Sequence, residues 1–250
     1  MDIPKDHPRY DSLVTRERLA ELVKKGLVTP TGLISHGRGE AFDYLMGERT
    51  TDSALRAERA ATAYLLEAKR PVICVNGNAA ALDAERLISL AEATGSKMEV
   101  NIFHRTEERM AALIDYMEER GAKGILGRNA DSRILGLSSY RALCTGEGIY
   151  SSDVILVPIE DGDRAEALVR MGKTVLAIDL NPLSRTSRTA TVSIADEMSR
   201  ALANMITFAN ELKNSAAERK NILKGFSNAD NRKAAVGLIC DHLRAAEGGR

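Results

Sequence analysis

Tryptophan is absent from this 250-residue chain, and aromatic residues make up only 4% of it. A core of that composition is built from Ala, Leu, Ile and Val, which suits an α/β fold. Cysteine is scarce: Cys74, Cys144 and Cys240 lie far apart, with no CxxC pair and no Cys/His cluster. That excludes a zinc site or a disulfide framework read from spacing, and an odd count suits a reducing compartment. Neither sign of charge is in excess, with Lys+Arg 35 against Asp+Glu 35. A nucleic-acid binder needs surplus cations to displace counterions, and a polybasic membrane-surface protein needs them too. No apolar run approaches the roughly 18 residues of a spanning helix. The first ten residues, MDIPKDHPRY, lack the apolar stretch of a signal peptide. These absences lead us to expect a cytoplasmic protein whose partners are small molecules, with no nucleic acid and no membrane. Walker-A (GxxxxGK[ST]) and GxSxG sequences are also missing.

What is present is a strongly patterned chain with 44% hydrophobic residues. The length fits one large domain or two small ones. Leu13, Leu19, Leu22 and Val23 predict a helix over 12–25, stopped by Gly26. A second helix is expected over 50–69, with Thr51 or Asp52 as its cap. From residue 70 the pattern becomes strand, then helix, repeatedly. Strands are expected at 71–76, 98–103, 124–127, 153–157, 174–178 and 191–194, with helices at 79–93, 106–120, up to 171, and 196–213. Such alternation predicts an α/β fold: a doubly wound, mostly parallel sheet with helices on both faces. Residues 1–213 read as one α/β unit with a helical part over 1–69, and 214–250 as a charged, helical tail. The stretch 128–152 shows no clear period, as functional or mobile loops do.

In this architecture ligands bind beyond the carboxyl ends of the strands. Four segments fall there: Asn76-Gly77-Asn78, His104-Arg105-Thr106, Glu160 to Arg164, and Asp179 to Thr186. They are rich in Arg, Asp and Asn. Arginine's planar fork matches phosphate oxygens, and Arg105, Arg164, Arg185 and Arg188 stand near strand ends. Arg109 and Arg120, inside a helix, read instead as charged surface. Asp179 suits ribose hydroxyls or a turn. Asp161 and Asp163 suit Mg²⁺ on a polyphosphate, or capping of the following helix. His104 is a candidate general acid or base, or a structural histidine. Gly37-Arg38-Gly39 reads as a tight turn carrying Arg38. It begins like a dinucleotide fingerprint, but Phe42 stands where the third glycine belongs. The α/β pattern and this run give one alternative reading, a nicotinamide-dependent oxidoreductase, against which the imperfect match argues; a non-catalytic nucleotide-binding regulator is another.

Seven stretches together carry a closer likeness: Ile3 to Tyr10, His36 to Leu45, Val75 to Asn78, Arg105 to Arg109, Pro158 to Arg164, Glu166 to Lys173, and Ile178 to Arg185. In order and spacing the chain resembles the archaeal 4-phosphopantoate–β-alanine ligases, or phosphopantothenate synthetases, over about residues 3–213. The resemblance implies an ATP-dependent carbon–nitrogen ligase of coenzyme A biosynthesis that forms AMP and diphosphate through an acyl-adenylate. It implies an ATP site of Arg16, Arg38, Asp179, Leu180, Asn181, Arg185, Thr186, Glu197 and Met198. Asn76, Gly77 and Asn78 are then the expected 4-phosphopantoate contacts. Arg105, Asp161 and His104 are the candidates at the reacting centre. Mg²⁺ is expected to accompany ATP, and a homodimer is the expected assembly.

Overall fold

The protein's structure, a computed structural model, describes residues 3–247. Three helices precede the sheet. The first, α1 (Tyr10–Lys24), ends where Gly26 turns left-handed at φ +74°. Next, α2 (Pro30–Met46) begins with the Thr29 side chain accepting from Gly32 N–H and with Pro at its first position. It ends at Gly47, φ +93°. Helix α3 (Asp52–Glu67) is capped by Thr51, as expected.

The course of α2 corrects the reading of Gly37-Arg38-Gly39. The helix runs straight through these residues, so no turn exists there, and no strand-to-helix phosphate loop. Interior glycines cost about 1 kcal/mol each relative to alanine, but a strong cap and a glycine stop bound the helix regardless. Gly32 has a packing reason: a Cβ there would collide with the Asn78 side-chain oxygen.

The sheet then forms by alternation: β1 (Pro71–Val75), α4 (Gly77–Thr94), β2 (Lys97–Val100) and α5 (Glu107–Glu118). A short antiparallel pair follows, β3 (Ser132–Arg133) with β4 (Leu143–Cys144). The main sheet resumes with β5 (Val154–Pro158), α6 (Gly162–Arg170), β6 (Thr174–Ile178), α7 (Arg185–Thr189), β7 (Val192–Ile194) and α8 (Met198–Leu212). Strand order is β2-β1-β5-β6-β7, all parallel. The strand expected at 124–127 shrinks to one bridge, Leu126 against Glu99. Leu126 exchanges two backbone hydrogen bonds with β2, but Gly127 then turns to φ +117° and ends the pairing.

Alternate side chains of the central strands serve two cores. Ile73, Val75, Leu156, Leu176 and Ile178 face the side filled by α1, α4, α5 and α8. Val72, Cys74, Ile155, Val157, Val175 and Ala177 face the side filled by α6 and Ile134, Cys144 and Ile149. A sheet covered on both faces needs such continuous apolar strands. The unpatterned stretch 128–152 thus carries part of the second core. Residues 216–247 contain α9 (Ala216–Gly225) and α10 (Asn228–Glu247), and Ala235 and Ile239 of α10 pack with Met46 and Ala195. No helix among the described residues is long and apolar enough to cross a membrane.

Candidate active site

The strand order reverses direction between β1 and β5, so helices on the two sides of that point leave opposite faces of the sheet. A crevice must open there, beyond the strands' carboxyl ends. The structure has a cleft of about 500 Å³ at that place. Its floor comes from Asn76–Asn78 after β1, Ile102–His104 after β2, and Ile159–Asp161 after β5. One wall is α2, with Gly32, Ser35 and Arg38, and the other includes Arg109 and Arg141.

Asn76 ties the crevice together. Its side-chain oxygen caps α4 by accepting from Ala79 N–H at 2.9 Å, and its amide nitrogen donates to the Pro158 carbonyl at 2.8 Å and to Ile159's at 3.3 Å. Ile159 sits at φ +52°, a region a β-branched residue avoids at a cost of about 1–3 kcal/mol. Gly77 presses against the Leu27 carbonyl, so its missing side chain makes room for the α1–α2 loop. Asn78 donates to the Gly32 carbonyl at 2.8 Å and fixes α2 over the cleft.

Below this floor lies a buried ionic cluster. The Glu160 carboxylate, 1% exposed, bonds Arg164 and Arg141, the latter at 2.9 Å. Arg141 also donates to Asp161 at 3.0 Å and to the Asn101 side-chain oxygen at 3.4 Å. Burial pushes the Glu160 carboxyl above its ordinary value, against the pull of the two guanidiniums. Burial also opposes ionisation of Asp161, but Arg141 and the Arg164 N–H outweigh it and hold that carboxyl below its usual range. Asp161 caps α6 as well. Ionised and only partly covered, it presents acceptor oxygens to the cleft.

The expected residues divide into groups. Asn76, Gly77, Asn78, His104, Asp161 and Arg38 line the cleft. Arg105 does not: its guanidinium turns away and donates to the Gly127 carbonyl at 2.8 Å. Arg16 pairs with Glu40 at 2.8 Å, on the α1–α2 face. The remaining candidates gather beyond β6 and β7. Asp179 accepts from Asn181 N–H at 3.0 Å and from Ser184 Oγ, and its burial raises its pKa. Leu180 packs with Met46 and Ala195, and Gly39 of α2 approaches it. Thr186 is buried and donates to the Glu160 carbonyl at 2.9 Å. Arg185 is exposed and pairs with Asp163 at 2.6 Å. Glu197 caps α8 by accepting from Ser199 and Arg200 N–H. Met198 is a core residue, 2% exposed, so its side chain is no platform for a base.

The two groups adjoin. Arg38 lines the cleft and also acts electrostatically on Asp179, while Thr186 touches Glu160. Behind the second group, Glu58 is fully buried beside Asp196, and Asp196 accepts from Thr50 and Arg200. Burial, reinforced by the Asp196 charge, pushes the Glu58 carboxyl up to about 9. Asp161 and Asp163 are each engaged by an arginine, and no cluster of three metal-binding side chains occurs among the described residues. The described residues therefore form no preformed cation cage.

Arg109 and Arg141 escape the sequence reading. Arg109 donates to the carbonyls of Gly26 at 3.1 Å, Leu27 at 3.2 Å and His104 at 2.5 Å, so it is a strut of the cleft wall rather than charged surface. Arg141 lies in the stretch that shows no period. A signal for Arg109 was its place at the start of a helix following a strand end. Arg141 had none.

Fold and cleft together define a class: a doubly wound α/β protein with a polar, arginine-bearing ligand crevice at its topological switch point. Residues 53–242 match the phosphopantothenate/pantothenate synthetase family model, and the chain belongs to that family. A protein named 4-phosphopantoate–β-alanine ligase from Methanosarcina mazei is 53% identical over 253 residues, covering 99% of both chains. Proteins of the same name from Methanospirillum hungatei and Thermococcus kodakarensis are 56% and 48% identical, over 84% and 98% of this chain and 86% and 93% of their own.

Proposed function

We propose that this protein is an ATP-dependent ligase that joins 4-phosphopantoate to β-alanine, forming 4-phosphopantothenate, AMP and diphosphate for coenzyme A biosynthesis. Identity to ligases of that name along nearly the whole chain carries the reading. The switch-point cleft supports it. The nicotinamide alternative keeps only the general α/β pattern, because Gly37-Arg38-Gly39 lies within a helix.

In this reading 4-phosphopantoate occupies the cleft over Asn76, Gly77 and Asn78, with Arg38 exposed on α2 to meet phosphate. ATP lies across the β6–β7 side. Asp179 accepts from the ribose, and Arg185 and Arg38 face the phosphates. Leu180, Asn181, Thr186 and Glu197 shape that side, and Met198 supports it from the core. Arg16 is further out, holding Glu40 in the body of α2. A carboxylate oxygen of 4-phosphopantoate attacks the α-phosphorus of ATP, and diphosphate leaves. The β-alanine ammonium then loses one proton, its neutral nitrogen attacks the acyl carbon, a second proton leaves that nitrogen, and AMP departs. Charge spreads over phosphoryl oxygens in the first step, so fixed cations aimed at them contribute most. His104 borders the cleft, and its imidazole is the group assigned to receive a proton from the β-alanine nitrogen. Arg105 stiffens the loop beside it. When bound with ATP, Mg²⁺ would supply counter-charge to the triphosphate, with Asp161 and Asp163 the carboxylates placed to hold it.

The test is AMP release from purified protein with ATP, Mg²⁺, 4-phosphopantoate and β-alanine. AMP that depends on both organic substrates is the expected result, and its absence rejects the reading. The homodimer belongs to the same reading. Light scattering should give about twice the 27.2 kDa chain mass, and a monomer mass removes it.

A further inference from the structure

A second cavity of about 290 Å³ adjoins the switch-point cleft, and Phe103, Arg141 and Asp161 line both. Its ionised lining is balanced: Arg141, Arg164 and Arg170 against Asp161, Asp163 and Glu166. The Ser138 and Ser139 segment adds hydroxyls. A phosphate would meet three carboxylates here, and a simple cation three guanidiniums. A small zwitterion satisfies both signs at once.

The charges are also not equally available. Arg164 is fully buried with its two terminal nitrogens spent on Glu160 and the Cys74 sulfur, and Arg141 is spent on Glu160, Asp161 and Asn101. Arg170 is largely exposed, and its only ion pair among the described residues is a loose one to Glu166 at 3.8 Å. Its guanidinium is therefore the free cation of the cavity. Asp163 is held by Arg185 at 2.6 Å. Asp161, kept ionised by Arg141, has one oxygen on Arg141 and the other on the Arg164 N–H, each with a further lone pair.

We propose that this smaller cavity is the subsite for β-alanine, bound as a zwitterion, with its carboxylate on Arg170 and its ammonium on Asp161. The orientation follows from position. Asp161 belongs to both cavities, whereas Arg170 lines only the smaller one. The amine end must reach the acyl group in the large cleft, so it lies at the shared wall and the carboxylate at the far end. The inference rests on the ligase reading above and adds the place of its second substrate.

The test compares wild type with Arg170→Met and Arg170→Lys in the complete reaction. Arg170→Met should raise the KM for β-alanine at least tenfold, with KM for ATP and for 4-phosphopantoate changing less than twofold, and Arg170→Lys should recover part of the loss. The second readout is 3-aminopropanamide, which keeps the amine but lacks the carboxylate. The preference of wild type for β-alanine over this amide, as a ratio of kcat/KM, should fall at least tenfold in Arg170→Met. A merely structural effect would slow both amines alike. An unchanged KM for β-alanine, or an unchanged ratio, overturns the subsite. A wild type that forms no AMP at all overturns the ligase reading itself, which is a separate result.

Discussion

The two halves of the site are built in opposite ways. Around β1 and β5 each important side chain is held by residues far away in sequence: Asn76 by Pro158, Arg109 by Gly26, and Arg141 by Asn101 and Glu160. Around the end of β6 the polar groups of the Asp179 turn satisfy one another within a few residues, while Thr186 and Arg185 beside it reach across to Glu160 and Asp163. Asp179 takes Asn181 N–H and Ser184 Oγ, Asn181 takes Leu183 N–H, and Ser184 caps Ser187. The first half is a long-range structure whose geometry depends on the whole sheet. The second is built around a local turn, tied to the rest by a few contacts such as Thr186 to Glu160.

If that contrast is right, damage to the two halves should differ in kind. The largest effect is expected from Glu160→Leu. It leaves Arg141 and Arg164 buried without their shared carboxylate, a class of change costing about 3–5 kcal/mol. Urea unfolding should show the loss. A shift below about 1 kcal/mol would mean that the buried cluster does not hold the first half together.

Arg38→Ala and Arg185→Ala should do the reverse, sparing stability and removing activity. Arg185 sits in an exposed pair, which contributes little to stability. Loss of one charged contact to a phosphate costs about 1.5–3 kcal/mol, hence a tenfold or greater fall in kcat/KM for ATP. Unchanged kinetics in either variant would remove that arginine from the site.

The Glu58–Asp196 pair behind the second half gives a pH signature. Glu58 keeps its proton in the native state to about pH 9, against 4.5 ordinarily. Between those values the native chain binds a proton that the unfolded chain does not. Stability therefore falls as pH rises through that window, by up to about 1.4 kcal/mol per pH unit. Glu58→Gln removes this titration while retaining an amide able to face Asp196. Its unfolding free energy should depend less on pH than that of wild type from pH 5 to 9. Parallel pH curves would place the Glu58 proton elsewhere. The smallest effect is expected from Asp179→Ala, about 1 kcal/mol, because only a local turn loses its acceptor.

The same contrast explains what could be read from the sequence. Caps and turns were legible at Thr51, Asp161 and Asp179, because their partners lie within six residues. The five parallel strands were legible because burial on both faces gives unbroken apolar runs. The edge at Leu126 was over-read as a strand, since an apolar pair between glycines does not reveal that Gly127 turns away. Gly37 and Gly39 were over-read as turn residues, since a cap at Thr29 and a stop at Gly47 outweighed them. Arg141 was invisible: its partners at 101, 160 and 161 meet only when β2 and β5 flank β1. Arg105 shows the converse error. Its strand-end position pointed at a ligand, while its guanidinium serves the Gly127 carbonyl.

The amide of Asn76, shared between the Pro158 and Ile159 carbonyls, acts as a rivet across the mouth of the sheet. The floor of the crevice consequently cannot breathe by parting of β1 from β5 without releasing both carbonyls and the start of α4 together. Movement that admits a substrate is left to the roof, where α2 is held by single side chains from other elements: Asn78 at Gly32, Arg16 at Glu40 and Arg200 at Asp43. In hydrogen–deuterium exchange the Ala79 amide, locked inside the rivet, should exchange only with global opening. Amides in the middle of α2 should exchange through a smaller, independent fluctuation, making the roof the door and the floor the frame.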